Sequence, residues 1–174
     1  MQGAEGQGRR ALPPVHLWNP DNCGDIDIVI RADGVWMHEG TPIGRPELVR
    51  LFSSVLRLDD DGYYLVTPVE KLKITVEDAP FLAVRVDRNG GDLVFTTHVG
   101  DRVRAGPDNE IRVEVDETTG EPRPYVHVRA GLEALISRNV FYELVEMSEL
   151  RGEHRVVRSG GSTFVLGPAH GAQA

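Results

Sequence analysis

Two apolar periodicities alternate along this chain, and together they restrict it to an α+β fold. Ile26, Ile28 and Ile30 alternate with Asp27, Val29 and Arg31, the period-two pattern of a strand with one buried face. Asp33-Gly34 supplies a turn, and residues 35–38 read as the returning strand. The period then changes. Pro46 suits the first helical position, where its missing N–H has no partner to lose, and Leu48, Leu51, Phe52, Val55 and Leu56 follow at helical spacing. Asp59-Asp60-Asp61-Gly62 ends or turns this helix, and residues 63–67 form another strand before Pro68.

From Val69 onward the pattern is one of short strands and turns, with strands expected over 70–77, 81–87, 92–98, 110–115 and 124–129. Asn89-Gly90-Gly91 is a strong hairpin signal between two of them. Strands joined in this way predict a curled antiparallel sheet or partial barrel. Residues 139–150 read as a helix capped by Asn139, with Val140, Leu144 and Met147 in an apolar stripe. Residues 131–137 fit a strand face and a helix face equally.

The two helices also suggest an internal repeat. At a shift of 93 residues, Ile43, Arg45, Leu48 and Leu51 meet Ile136, Arg138, Phe141 and Leu144, and Tyr64 to Pro68 resembles Phe164 to Pro168. Each copy then reads strand, helix, strand. The expected organisation is a disordered leader over 1–16, an N-terminal α+β lobe over 17–68, a β-rich lobe with a capping helix over 69–168, and a disordered tail over 169–174.

Composition narrows the function classes. The 174 residues, 40% of them hydrophobic, can bury one sizeable core or two small ones. The apolar runs at 26–30 and 81–86 fall far short of the ~18 residues a membrane span needs, so no membrane partner is expected. Residues 1–11 lack the apolar stretch of a secretory signal. Cys23 is the only cysteine, which excludes an intramolecular disulfide and agrees with a cytoplasmic location. The first 122 residues carry a net charge of −9, while residues 123–174 hold six Arg against five Glu, which leaves −8 for the chain. Such a chain has no footprint for non-specific nucleic-acid binding, which depends on clustered cations. A small anion needs only two or three converging Arg or Lys side chains.

The sequence contains no catalytic signature. Its six histidines have no metal-ligand spacing and Cys23 has no second cysteine, so neither a metal nor a cofactor is expected. Cys23 is the sole candidate for a reactive thiol, set against the plainer role of a small spectator side chain. Asp25 with Asp27 and the run Asp59–Asp61 read as solvated strand and turn charge rather than an acid-base pair or a calcium loop.

A resemblance extends this reading. Asn22 to Ile28, Gly34 to Ile43, Leu51 to Leu56, Thr67 to Leu72, Val76 to Phe81, Pro124 to Arg129 and Arg138 to Leu144 resemble the bacterial domain of unknown function 1285 family, over most of residues 18–168. The resemblance implies a duplicated core, a C-terminal half superficially like a pleckstrin-homology fold, and a ligand site between the halves. It also implies a nucleotide-like or nucleic-acid-derived ligand and a signalling role.

Arg45 and Arg138 open the two matched helices, where a cation opposes the helix dipole and calls for a compensating carboxylate or anion. Glu47 and Glu133 are the expected ion-pair partners if these arginines are structural. Lys71, Lys73 and Arg129 add charge on nearby strands, and Tyr142 is a candidate stacking residue. The leading functional expectation is thus a non-catalytic module that binds a small anionic, nucleotide-like ligand through Arg45, Lys71, Arg129, Arg138 and Tyr142. A protein-interaction adaptor is the alternative, and an enzyme with an unrecognised site the third reading.

Overall fold

The structure, a computed structural model, describes residues 12–169. The expected leader and tail lie outside the described residues, apart from residues 12–16 and Ala169. Those parts are bonded rather than loose: a single 3₁₀ turn spans Val15–Leu17, and the Ala169 amide donates to the Glu153 carbonyl at 2.8 Å.

The chain divides into two units. The first runs through Pro80 and includes Val99–Asp101 and Ala130–Leu132; the second takes Phe81–His98, Arg102–Arg129 and the residues from Glu133 onward. The boundary falls at Pro80 and not at residue 68, because the strand after Pro68 completes the first unit's own sheet.

That sheet holds β1 (Cys23–Ile30), β2 (Trp36–His38), β3 (Thr41–Pro42), β4 (Leu56–Asp59), β5 (Gly62–Val66) and β6 (Lys71–Val76), in the order β3-β2-β1-β6-β5-β4. β1 and β6 run parallel; the other neighbours are antiparallel. Between His38 and Thr41 the loop is only Glu39-Gly40, with φ of 50° and 79°, the two positive values that a tight primed turn requires. Ile28, Ile30, Trp36, Leu56, Leu65 and Ile74 are buried in this unit.

Helix α1 (Pro46–Ser54) lies in the connection from β3 to β4 and stacks Phe52 on Trp36, with ring centroids 6.4 Å apart. It is shorter than the apolar stripe predicts. Leu56 leaves the helix to pair with Leu65 as β4, and Leu51 is exposed. A strand partner across the sheet satisfies the backbone of residues 56–59, which a further helical turn would leave without a sheet to join.

The second unit repeats the sheet. β7 (Phe81–Asn89), β8 (Asp92–Thr97), β9 (Arg102–Arg104), β10 (Ile111–Val115), β11 (Pro122–Arg129) and β12 (Leu132–Ile136) lie in the order β9-β8-β7-β12-β11-β10. Subtracting six from each label returns the first sheet. Once more the first and last strands are the parallel pair, so the sheet is mixed and not purely antiparallel. The ambiguous residues 132–136 are strand, fixed by pairing with Phe81–Ala83.

The duplication therefore runs sheet to sheet, and the 93-residue match of the helices is not its register. Helix α1 lies inside the first sheet's connectivity, whereas α2 (Arg138–Met147) follows the last strand of the second. Ser137, rather than Asn139, caps α2, its hydroxyl accepting the Val140 amide at 3.4 Å.

The connection matching α1 carries no helix in the second unit. It is met instead by β14 (His154–Ser159) and β15 (Ser162–Pro168), which with β13 (Glu149–Arg151) form a three-stranded sheet. The buried Ser159 hydroxyl accepts the Leu93 amide at 2.7 Å and donates to the Ala105 carbonyl at 2.8 Å. Gly160 packs so closely there that an added Cβ would sit 2.7 Å from the Ala105 oxygen.

Candidate functional site

In the first sheet, β4, β5, β6 and β1 lie side by side, and residues directly opposite one another share a face. Arg57 faces Tyr64, which faces Lys73; Val66 faces Lys71, which faces Cys23. The reverse face carries Leu56, Leu65 and Leu72. A polar row thus lies back to back with an apolar one, as the pleat demands.

Asp59 organises the polar row. Its Oδ1 accepts Arg57 Nε at 2.7 Å, and its Oδ2 accepts Arg57 Nη2 at 3.1 Å and Lys71 Nζ at 2.5 Å. The Arg57 hydrogen bonds, then Lys71, hold this carboxyl below its ordinary range despite the opposing effect of burial. Asp59 is therefore not a solvated turn residue. Only Asp60 and Asp61 form the turn, and Asp61 accepts the Tyr64 hydroxyl at 2.7 Å. That bond, with burial, pushes the Tyr64 phenol up to about 12; the same bond draws the Asp61 carboxyl down against the opposing effect of burial.

Lys71 Nζ stands 4.2 Å from the centroid of the Tyr64 ring and Lys73 Nζ 5.9 Å, so two ammonium groups lie against one aromatic ring. Lys71 is spent on Asp59. Lys73 has no acidic group within ion-pair distance among the described residues, although it is only partly exposed.

The remaining expected residues are distributed over both units. Cys23 lies beside Lys71 in register, exposed, with its thiol 3.9 Å from the Pro20 carbonyl. Arg45 is the residue preceding α1, exposed and without an ion-pair partner among the described residues; Glu47 does not pair with it. In the second unit, Arg129 covers the Phe81 ring at 5.1 Å. Arg138 reaches Glu121 at 3.7 Å and is 71% exposed, while its anticipated partner Glu133 is bound to Arg112. Tyr142 is exposed on α2.

Arg57, Asp59 and Tyr64 escape a search for helix-borne cations, yet the sequence carried a signal for them. Leu56-Arg57-Leu58-Asp59 on β4 has its counterpart in Ile111-Arg112-Val113-Glu114 on β10, the strand at the same place in the second sheet. Arg112 faces Tyr125 just as Arg57 faces Tyr64, and lies 4.4 Å over its ring. There the charge balance is inverted. Arg112 makes a two-pronged bond to Glu133, at 2.7 Å on each arm, and also pairs with Glu114.

Residues 13–79 match the family described as the domain of unknown function DUF1285, N-terminal domain, and residues 80–166 match its C-terminal domain. The junction coincides with the boundary between the two units. A DUF1285 family protein from Silicibacter pomeroyi DSS-3, known from a crystal structure, is 50% identical with a TM-score of 0.88; the match covers 99% of this chain and 96% of that one. A second, from Shewanella baltica OS155, is 29% identical with a TM-score of 0.55, over 68% of this chain and 90% of that one. No curated protein matches the chain. A matched strand order in both units, two domain matches that meet at their boundary, and a relative alike over almost the full length lead to one conclusion: this chain belongs to the DUF1285 family.

Proposed function

We propose that this chain is a non-catalytic, cytoplasmic binding module with a signalling role, and that it takes a small anionic, nucleotide-like ligand. The observation that supports this reading is Lys73, a partly buried ammonium with no acid in ion-pair range among the described residues, in the same polar row as Lys71 and Arg57. Partial burial weakens the hydration of a cation, so an incoming oxyanion has less water to displace and gains more from the pair. Arg45 offers the same unit a further guanidinium without an ion-pair partner among the described residues. The signalling part of the proposal rests on the pleckstrin-homology likeness that the family resemblance implies; the six-stranded sheet followed by a helix in the second unit is in keeping with it, while the parallel pair β7–β12 departs from an all-antiparallel sheet.

A melting series with pyrophosphate, mononucleotides and dinucleotides tests the reading. Ligand at ~100 times Kd adds about 2.7 kcal/mol, a rise on the order of 5 °C or more for a chain of this size. Lys73→Gln is expected to remove that rise and leave the ligand-free melting temperature nearly unchanged. Failure of every phosphate compound to shift the wild-type protein overturns the proposal.

The adaptor reading has its own support in Tyr142 on α2 and Leu150 on β13, both more than half exposed at 58% and 59%. Retention of one partner by the wild-type chain and its loss in Tyr142→Ala with Leu150→Ser would favour that reading.

A further inference from the structure

Arg57 spends its donors in an unusual way. Nε and Nη2 go to Asp59, and Nη1 goes to two main-chain oxygens, Val15 O and Trp18 O, each at 2.7 Å. Val15 lies in the single 3₁₀ turn before β1, and Trp18 caps that turn. The side chain of Arg57 is only 14% exposed, so these two carbonyls take the place where water or an anion would otherwise meet Nη1.

The turn has little else to hold it. None of its three residues is buried, and Leu17 is 67% exposed. Its internal bonds are Leu17 N to Pro14 O at 3.0 Å and Trp18 N to Val15 O at 3.1 Å. Arg57, by contrast, is fixed from behind. Asp59 grips Arg57 and Lys71 together, which keeps the Nη1 edge in the same polar row as Lys71 and Lys73.

We propose that residues 15–18 form an autoinhibitory strap: the Val15 and Trp18 carbonyls stand in for the oxygens of a phosphate-bearing ligand, which must lift the strap to reach Arg57. This rests on the anion-binding reading given above. The exchange favours the ligand because an anionic oxygen adds a Coulomb attraction to the partly buried guanidinium that a neutral carbonyl lacks. Asp59 stays in place, since displacing it would strip two partly buried cations of their counter-ion. With the strap lifted, Arg57 offers its freed Nη1 beside Lys73 in the same polar row, while Lys71 stays paired with Asp59.

The test uses the full chain, pyrophosphate as probe, amide hydrogen exchange at Leu17 and Trp18, and direct titration of the wild type beside Trp18→Gly. That variant loosens the strap and keeps every cation. Pyrophosphate is expected to speed exchange at both amides by about fivefold or more, with β1 and β5 unaffected, and to bind Trp18→Gly tighter by a similar factor, the scale of ordinary coupling between sites. Equal affinities with unchanged exchange at Leu17 and Trp18 overturn it and leave the anion reading intact. No binding to either protein removes both. Should the variant fail to fold, exchange in the wild type decides the matter.

Discussion

Set side by side, the two sheets share a strand order and an Arg-to-Tyr pairing at the same place, but they keep that polar group in different surroundings. In the first, Arg57 and Asp59 are 14% and 20% exposed; in the second, Arg112 and Glu114 are 46% and 55% exposed. Water screens the Arg112–Glu114 pair, so it contributes little, while Glu133, at 27% exposed, is the better sheltered partner of Arg112. The first group is partly desolvated, so each charge depends on its neighbours. Duplication preserved the topology, and the environment then decided whether a similar Arg-x-acid pair acts as a clasp or as surface decoration. The pairing differs as well: among the described residues Lys73 in the first sheet has no acid within ion-pair distance, whereas two acids surround one guanidinium in the second.

The sharpest way to break the comparison is at the connection where one unit uses a helix and the other a hairpin. Gly160→Ala combines a backbone at φ +59° with a Cβ 2.7 Å from a main-chain oxygen, neither of which can yield cheaply. A loss of about 3 kcal/mol is expected in chemical denaturation. Gly120→Ala, at φ +75° with open space around it, is expected to cost only about 1 kcal/mol. Similar losses at the two sites would show that the hairpin does not secure the second sheet.

Next in size is the contrast between the clusters. Asp59→Asn leaves Arg57 and Lys71 without their shared counter-ion and is expected to cost about 2 kcal/mol, against less than ~1 kcal/mol for Glu133→Gln in the screened cluster. The deficit of Asp59→Asn depends on pH. Arg57 and Lys71 lower the carboxyl in the folded state, so its contribution is full above the unfolded value of about 3.9 and disappears as pH falls through the lower folded value. Melting curves for the variant and the wild type should therefore converge in acid.

At the alkaline end the sign reverses. Asp61 and burial raise the Tyr64 phenol to about 12, so its contribution is intact below the unfolded value near 10 and is lost between there and 12. Tyr64→Phe should remove a tyrosinate transition near 12 from the ultraviolet titration. The smallest expected effect on stability is that of Lys73→Gln, within ~0.5 kcal/mol, because no ion pair is broken. Its measurable consequence is lost ligand binding.

Signals carried by adjacent residues were legible. Asn89 pairs with Asp92 around Gly90-Gly91, Pro46 opens α1, and Ile28 and Ile30 are buried while Asp25 and Asp27 face water. Each depends on backbone geometry or on a period that its own neighbours reveal. Leu56 was misread because it continues the helical stripe of Leu48 and Phe52, and only Leu65 across the sheet draws it into β4. The helices suggested the wrong register for the duplication because any two amphipathic helices look alike; the strand motifs around Arg57 and Arg112 were shorter but more specific. Of the candidate site residues, Lys71 and Cys23 do meet in register, and Asp59 was hidden in a run of acids that reads as a turn.

By itself, then, the sequence determined which segments alternate, where the tight turns fall and which family the blocks resemble, since all of these are written within a few residues of one another. The tertiary structure alone decided that β1 pairs with β6 and β7 with β12, and that Asp59 is half sunk between Arg57 and Lys71. Parallel pairing joins strands dozens of residues apart, and the worth of a charge depends on how much water the fold leaves around it. Neither quantity has a local trace in the chain.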